Sequence, residues 1–291
     1  SRDSVLFKLQ DRFPPELRVH LDRANVREIV SRRLLKKKAG SALESLLTDS
    51  HIDALRLHAY ECLDVKRDEI MENYPLLPSH IPLFMDITQS IRNNSTRTQS
   101  DAGGVRSVLN NIWDVFNREP VALKNKKLGT LLTIDMLYDI IGSSVDSDVQ
   151  LTLHKIFEKH PSYSWECKTV KAIALLELNR EQRAVQPMLV ASLLYPSIDS
   201  PPVLDKVTQA IETLRKENWI QFHEKYGWTV QNNAAQDWNR QKNEISVSAG
   251  EIDEILREVQ SSIVGLVSAP TYLDAKFPLA CFWGLENRLS G

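Results

Sequence analysis

The side chains of this 291-residue chain that most invite chemistry are cationic. Arg32, Arg33, Lys36, Lys37 and Lys38 crowd the end of one helical pattern, and residues 1–40 hold eleven Lys or Arg against five Asp or Glu. Such a cluster can neutralise phosphates; a solvated helix end, where the dipole favours cations, is the alternative. Arg106 follows the polar stretch NNSTRTQSDAGG and is expected in the first turn of a helix over 105–117. The dipole mildly opposes a cation there, and a facing anion would relieve it. A third set, Lys206, Gln209, Arg215, Lys216, Lys225 and Tyr226, lies off an apolar stripe or at the tip of a hairpin and is open to nucleic acid or to protein.

Metal and catalytic chemistry are less well provided. His51, His58 and Cys62 fall at i, i+7 and i+11 on one helical face, but the sequence positions no fourth ligand, so packing or surface roles are expected and no metal site. No G-x-x-x-x-G-K-[ST], G-x-S-x-G or H-E-x-x-H occurs, and the ten glycines never take Rossmann spacing. Independent catalysis is not expected.

The elements that must present these residues are mostly helices. The stretch 200–238 predicts a helix followed at once by a hairpin, the pattern of a winged helix. Ser200 is its expected N-cap, with Pro201 and Pro202 in the first turn. Val203, Val207, Ala210, Ile211 and Leu214 form its buried stripe. Trp219, Ile220 and Phe222, then Gly227, Trp228 and Val230, make two short strands about a turn. From 203 to 217 three cations face three acids, so this helix lacks the counterion-displacing charge of a duplex reader.

Before it, helices are expected over 22–38, 41–63, 79–92, 105–117, 128–141, 149–160, 167–178 and 185–194. Residues 74–78, YPLLP, read as an extended, proline-fixed segment, and residues 119–127, EPVALKNKK, as a linker. After it, Ser248 and Glu251 suggest a capping box for a helix lined by Ile252, Ile255, Leu256, Val259 and Ile263. Pro270, Phe277, Pro278, Phe282 and Trp283 suggest a strand-and-turn tail.

The totals describe an ordinary soluble chain, 42% apolar and 25% charged, with a formal charge of −2 that excludes a generally basic nucleic-acid coat. Cys62, Cys167 and Cys281 are odd in number and far apart, which suits free thiols in a reducing compartment. Neither a signal-peptide pattern nor a membrane-length apolar run is present in the sequence, so a cytoplasmic protein without a membrane partner is expected.

Phe13-Pro14 ahead of the RRLLKKK helix, Tyr74-Pro75-x-x-Pro78, the loop ending Gly103-Gly104-Val105-Arg106-Ser107, the winged helix with Trp219 and Trp238, and the late Phe277-Pro278 occur in an order that resembles the large P-loop AAA+ ATPase of bacteriophage-exclusion (BREX) defence systems. The likeness covers most of the chain. It implies a mainly α fold: a helical AAA+ lid-like domain over 1–118, a linker at 119–127, a winged-helix domain over 128–245 with a small β-hairpin, and a C-terminal extension over 246–291. It also implies a sensor-2-like role for Arg106, which would reach the nucleotide γ-phosphate. The Walker motifs and strand core of that family are missing here. The resemblance therefore implies a non-catalytic portion of a bacterial antiviral ATPase, with ATP and Mg2+ belonging to the parent protein only and no cofactor in this chain. Its partners would be the remainder of the parent, other defence-system subunits, or double-stranded DNA. Two readings stay open beside it: a winged-helix DNA-binding regulator or helicase-loader-like adaptor, and a helical protein-interaction scaffold.

Overall fold

The computed structural model describes residues 23–37, 42–94, 101–231, 249–265, 271–273, 275–276, 280–283 and 287–290. Two compact units are present, Ser1–Gln236 and Asp237–Gly291. The described residues are mainly helical, with short antiparallel strand pairs.

In the first unit the helices run α1 (Arg23–Ile29, continued by a π-helical turn Val30–Leu34), α2 (Ala42–Leu46), α3 (Asp49–His58), α4 (Arg67–Asn73), α5 (His80–Asn94), α6 (Asp101–Asn117), α7 (Ile134–Ile141), α8 (Ser147–Lys159), α9 (Trp165–Glu177), α10 (Pro187–Leu193) and α11 (Leu204–Lys216). Strands β1 (Ile220–His223) and β2 (Gly227–Val230) follow, paired from Ile220 with Val230 to His223 with Gly227.

One apolar core takes in Val26 and Val30 of α1, Phe84 of α5, Ile112 of α6, Leu137 of α7, Leu153 of α8, Val170 of α9, Leu214 of α11 and Val230 of β2. Residues 119–127, expected as a linker, sit on that core. Val121, Ala122 and Leu123 are buried, and Leu123–Asn125 forms a 3-10 turn. A smaller cluster gathers Leu55, Ile70, Leu77, Leu131 and Tyr195. His80 is buried with it all; burial holds its imidazole down at about 3, so it packs as a neutral ring against Phe84.

Several boundaries differ from the expectations, each for a local reason. The helix expected over 41–63 is two: the chain breaks at Thr48, whose N–H donates to His51 Nδ1 at 3.3 Å and so restarts the helix as α3. Residues 74–78 are turns rather than extended chain, with a cis Tyr74–Pro75 bond and with Leu76 and Leu77 buried. The helix expected from 128 begins at 134. Leu131 and Leu132 instead hydrogen-bond to the Pro196 and Pro75 carbonyls at 2.9 Å each, an arrangement whose apolar side chains are as fully buried as those of a helix. Helix α11 begins at Leu204, after both prolines, and the carbonyl of Ser200 accepts the Tyr195 hydroxyl.

The hairpin is launched by the end of α11. Asn218 takes a left-handed φ of 60°, its N–H bonds to the Arg215 carbonyl at 3.0 Å, and the Trp219 N–H reaches back to the Leu214 carbonyl at 2.9 Å. These two bonds satisfy carbonyls the helix would otherwise leave open, and Asn tolerates the required φ. Gly227 then sits at φ +76°, and the chain between α9 and α10 is pressed against it. Val185 donates to the Tyr226 carbonyl at 2.8 Å and accepts from the Trp228 N–H at 2.9 Å.

In the second unit, α12 (Ala249–Gly265) carries Ile252, Ile255, Leu256, Val259 and Ile263 on one face, each about half exposed. Two hairpins follow, β3 (Thr271–Tyr272) with β4 (Ala275–Lys276) and β5 (Ala280–Trp283) with β6 (Asn287–Ser290), in agreement with the strand-and-turn tail. Ser248, the expected cap, lies outside the described residues.

A Cβ at position 227 would lie 2.2 Å from the Val185 carbonyl oxygen, in a backbone conformation that already disfavours a side chain. Gly227→Ala is therefore expected to cost about 3 kcal/mol or more, read as a lowered midpoint in urea unfolding with an unchanged slope.

Candidate functional site

The order helix, bridge, helix, helix, hairpin runs from α9 to β2, and its parts are tied together by polar contacts as well as by core. Ser164 caps α9 by accepting from the Cys167 N–H at 3.2 Å. Val207, Ala210, Ile211 and Leu214 of α11 are buried, each larger aliphatic side chain adding roughly 1.5–3 kcal/mol. That burial turns Lys206, Gln209, Arg215 and Lys216 outward, together with Asp205 and Glu212. The outer face of α11 thus carries three cations against two acids, a net of one positive charge.

At the hairpin tip Lys225 is engaged. Its Nζ lies 3.1 Å from Glu181 and 3.1 Å from the Tyr226 hydroxyl, and these contacts raise its pKa. Arg180 lies over the other part of this cluster, 4.9 Å from the Tyr226 ring centre. Glu177 holds the far end of the hairpin by accepting the Val230 N–H at 3.2 Å and Arg180 at 3.0 Å; burial raises its carboxyl against the pull of these donors.

Glu217 joins three segments. It accepts from Lys159 at 2.9 Å, from His160 Nε2 at 2.9 Å and from the Trp219 indole at 2.8 Å. Burial alone would raise this carboxyl, but the three donors outweigh it and hold the group below its ordinary range. The sequence counted Glu217 only as a negative charge cancelling a lysine. Two of its partners come from the end of α8, far away in sequence, and the third from the residue just before β1, so no spacing along the chain could have shown the site.

A second group was also missed. Trp165, half-buried at the start of α9, has Lys168 Nζ 5.1 Å and Lys206 Nζ 5.4 Å from its ring centre, within cation–π range. Tyr163, two residues away, is 79% exposed. A Trp and a Tyr separated by one residue beside a Pro-containing turn were the available signal.

The basic cluster of α1 lines another place. Arg32 pairs with Glu28 at 2.9 Å, Arg27 with Glu69 at 3.0 Å, and Lys37 donates to the Glu72 carbonyl at 2.7 Å. Together with Lys36 these residues border a cleft of about 740 Å³ between α1 and α4. Burial lowers the Lys37 ammonium to about 8, with Glu72 pulling the other way. Arg33 is exposed, and Lys38 lies outside the described residues.

Arg106 stands elsewhere on the helix than expected. Helix α6 begins at Asp101, which puts Gly103 and Gly104 inside it and Arg106 in its second turn. The dipole's effect fades beyond the first turn, so the argument from an opposed cation no longer applies. The three residues considered as metal ligands have separate tasks: His51 caps α3, the His58 ring lies 5.9 Å from that of Tyr195, and Cys62 is a buried thiol donating to the Tyr60 carbonyl, pushed up to about 11 by burial. No described helix is long and apolar enough to cross a membrane.

No protein-family model matches this chain, and no solved structure matches it.

Replacing Glu217 by Gln should cost about 2 kcal/mol near neutral pH. Because the folded carboxyl is the stronger acid, the advantage of the native protein over the variant is complete above the ordinary value of 4.5 and disappears as pH falls through the lowered one. Denaturation of both proteins between pH 3 and pH 7 checks this.

Proposed function

We propose that this chain is a non-catalytic portion of a phage-defence P-loop ATPase of the bacteriophage-exclusion type, and that α9, α10, α11 and the β1–β2 hairpin form a winged helix used to dock a protein partner. ATP and Mg2+ would be held by the rest of such a protein. Arg106 would be the group in this chain that senses the nucleotide, through the charge its guanidinium offers to a γ-phosphate.

The observation that carries the docking part is electrostatic. The outward face of α11 carries a single net positive charge, three cations against two acids, and the hairpin lysine is already paired with Glu181. Duplex DNA is bound chiefly through cations that displace counterions, and such a surface offers few. The buried free thiols Cys62 and Cys167 are in keeping with a reducing, cytoplasmic setting.

A second reading, direct DNA binding by a regulator or helicase-loader-like adaptor, is favoured by one group at the winged unit. Tyr163 and Trp165 with Lys168 and Lys206 combine aromatic faces with cations, a pairing suited to nucleic acid. Lys168, however, also feels the buried Asp135 carboxyl.

Duplex DNA titrated at low salt should bind no more tightly than about 10⁻⁴ M, with a shallow salt dependence. Micromolar binding that collapses with salt, and weakens in Lys206→Ala, would replace the docking reading by the second. In the parent protein, Arg106→Ala should lower ATP turnover by on the order of tenfold to a thousandfold; an unchanged rate removes the sensor assignment.

A further inference from the structure

The segment Lys124–Thr130 has a feature that neither the winged unit nor the Arg106 assignment uses. It lines a cleft of about 210 Å³ together with Tyr74 and Phe116. Lys124, Lys126 and Lys127 are among its lining residues, all three exposed, and no carboxylate is among them. By contrast, the larger cleft beside α1 mixes its cations with Glu28, Glu69 and Glu72.

Three ammonium groups within four residues repel one another unless something negative lies between them. Lys124 donates to the Asn117 side-chain oxygen at 3.2 Å, a neutral acceptor. Neither Lys126 nor Lys127 has an ion pair with a described residue; the compensation shown is the longer-range influence of Lys127 on Asp199. The backbone beneath them is held in place. Gly129, at φ +98°, donates its N–H to the Tyr74 hydroxyl at 2.7 Å, Thr130 bonds to the Lys127 carbonyl at 3.1 Å and Lys126 to the Leu123 carbonyl at 3.0 Å. Leu123 itself is buried in the core. The three cations are thus carried on a fixed turn and not on a free linker, which spares a ligand much of the ordering cost.

We propose that this cleft is a phosphate-binding site, in which Lys124, Lys126 and Lys127 surround the anion and the Thr130 hydroxyl contributes a neutral donor. Its size suits one phosphate group and not a whole nucleotide, so the remainder of any larger ligand lies outside. The phosphate belongs either to a nucleic-acid backbone, as a monoanionic diester, or to a free phosphorylated small molecule, as a largely dianionic monoester; both present anionic oxygens that accept from ammonium groups. The site is independent of the docking reading, since it shares no residue with the winged unit or with Arg106.

The test is a ¹H–¹⁵N titration of the full chain with orthophosphate at pH 7.5, with chloride adjusted to constant ionic strength. Saturable shifts confined to the amides of residues 124–130 and their neighbours are expected. In Lys126→Glu/Lys127→Glu the affinity should fall about a hundredfold, the loss of two charge-assisted contacts. The spectrum remote from the cleft, which these exposed substitutions should leave unchanged, reports that the variant is folded. A DNA duplex that competes for the same amides, and loses this in the variant, identifies a backbone phosphate as the source; competition by adenosine monophosphate but not by duplex identifies a free ligand. Shifts that grow without saturating, or that survive in the double variant, overturn the site.

Discussion

The close approach of two backbones, at Gly227 and Val185, is the constraint on which the α9-to-β2 region rests. Only with no side chain at 227 can the hairpin come near enough for Val185 to bond on both sides of it, to the Tyr226 carbonyl and from the Trp228 N–H. That contact stitches the segment between α9 and α10 onto a hairpin that lies more than thirty residues further on. Once it is made, β2 carries Val230 into the core, and its end comes within reach of Glu177. The charged surface follows from this: Lys225 meets Glu181, and Tyr226 meets Arg180, because the turn between the strands is held over the end of α9.

A similar division of labour operates at the other end of α11. Apolar side chains fix which way the helix faces, while Glu217, just beyond its last turn, ties it to the end of α8 and to Trp219 at the entry to the hairpin. Three donors on one carboxylate is an economical way to join elements from distant parts of the chain, since each donor favours the ionised form that the others bind. The two ends of α11 are therefore unlike: Lys206 near its start lies over an aromatic ring, and Glu217 after its end is enclosed by donors.

Periodicity made the helices and the hairpin legible. The stripe from Val203 to Leu214, the change of pattern after Asn218 and the turn-rich tail all have counterparts in the structure. What periodicity could not show was non-helical chain that is nonetheless buried. Leu131 and Leu132 look like part of an apolar helix, yet they bond to proline carbonyls from two remote segments. Gly103 and Gly104 look like a loop, yet helix α6 runs through them. The candidate site was legible only as a list of outward residues on α11 and the wing. Glu217, Glu181 and Trp165 take their meaning from partners between two and fifty-eight residues away, and the distant ones are brought in by tertiary packing.

The burial of Val121 and Leu123 bears on motion. Helices α6 and α7, on either side of that segment, contribute Ile112, Val115, Leu137 and Tyr138 to one close-packed interior. Interiors of this density shift as blocks and do not shear freely. A push delivered to α6 is accordingly handed on to α7 and, through it, to α9, so that residues 119–127 behave as a rivet.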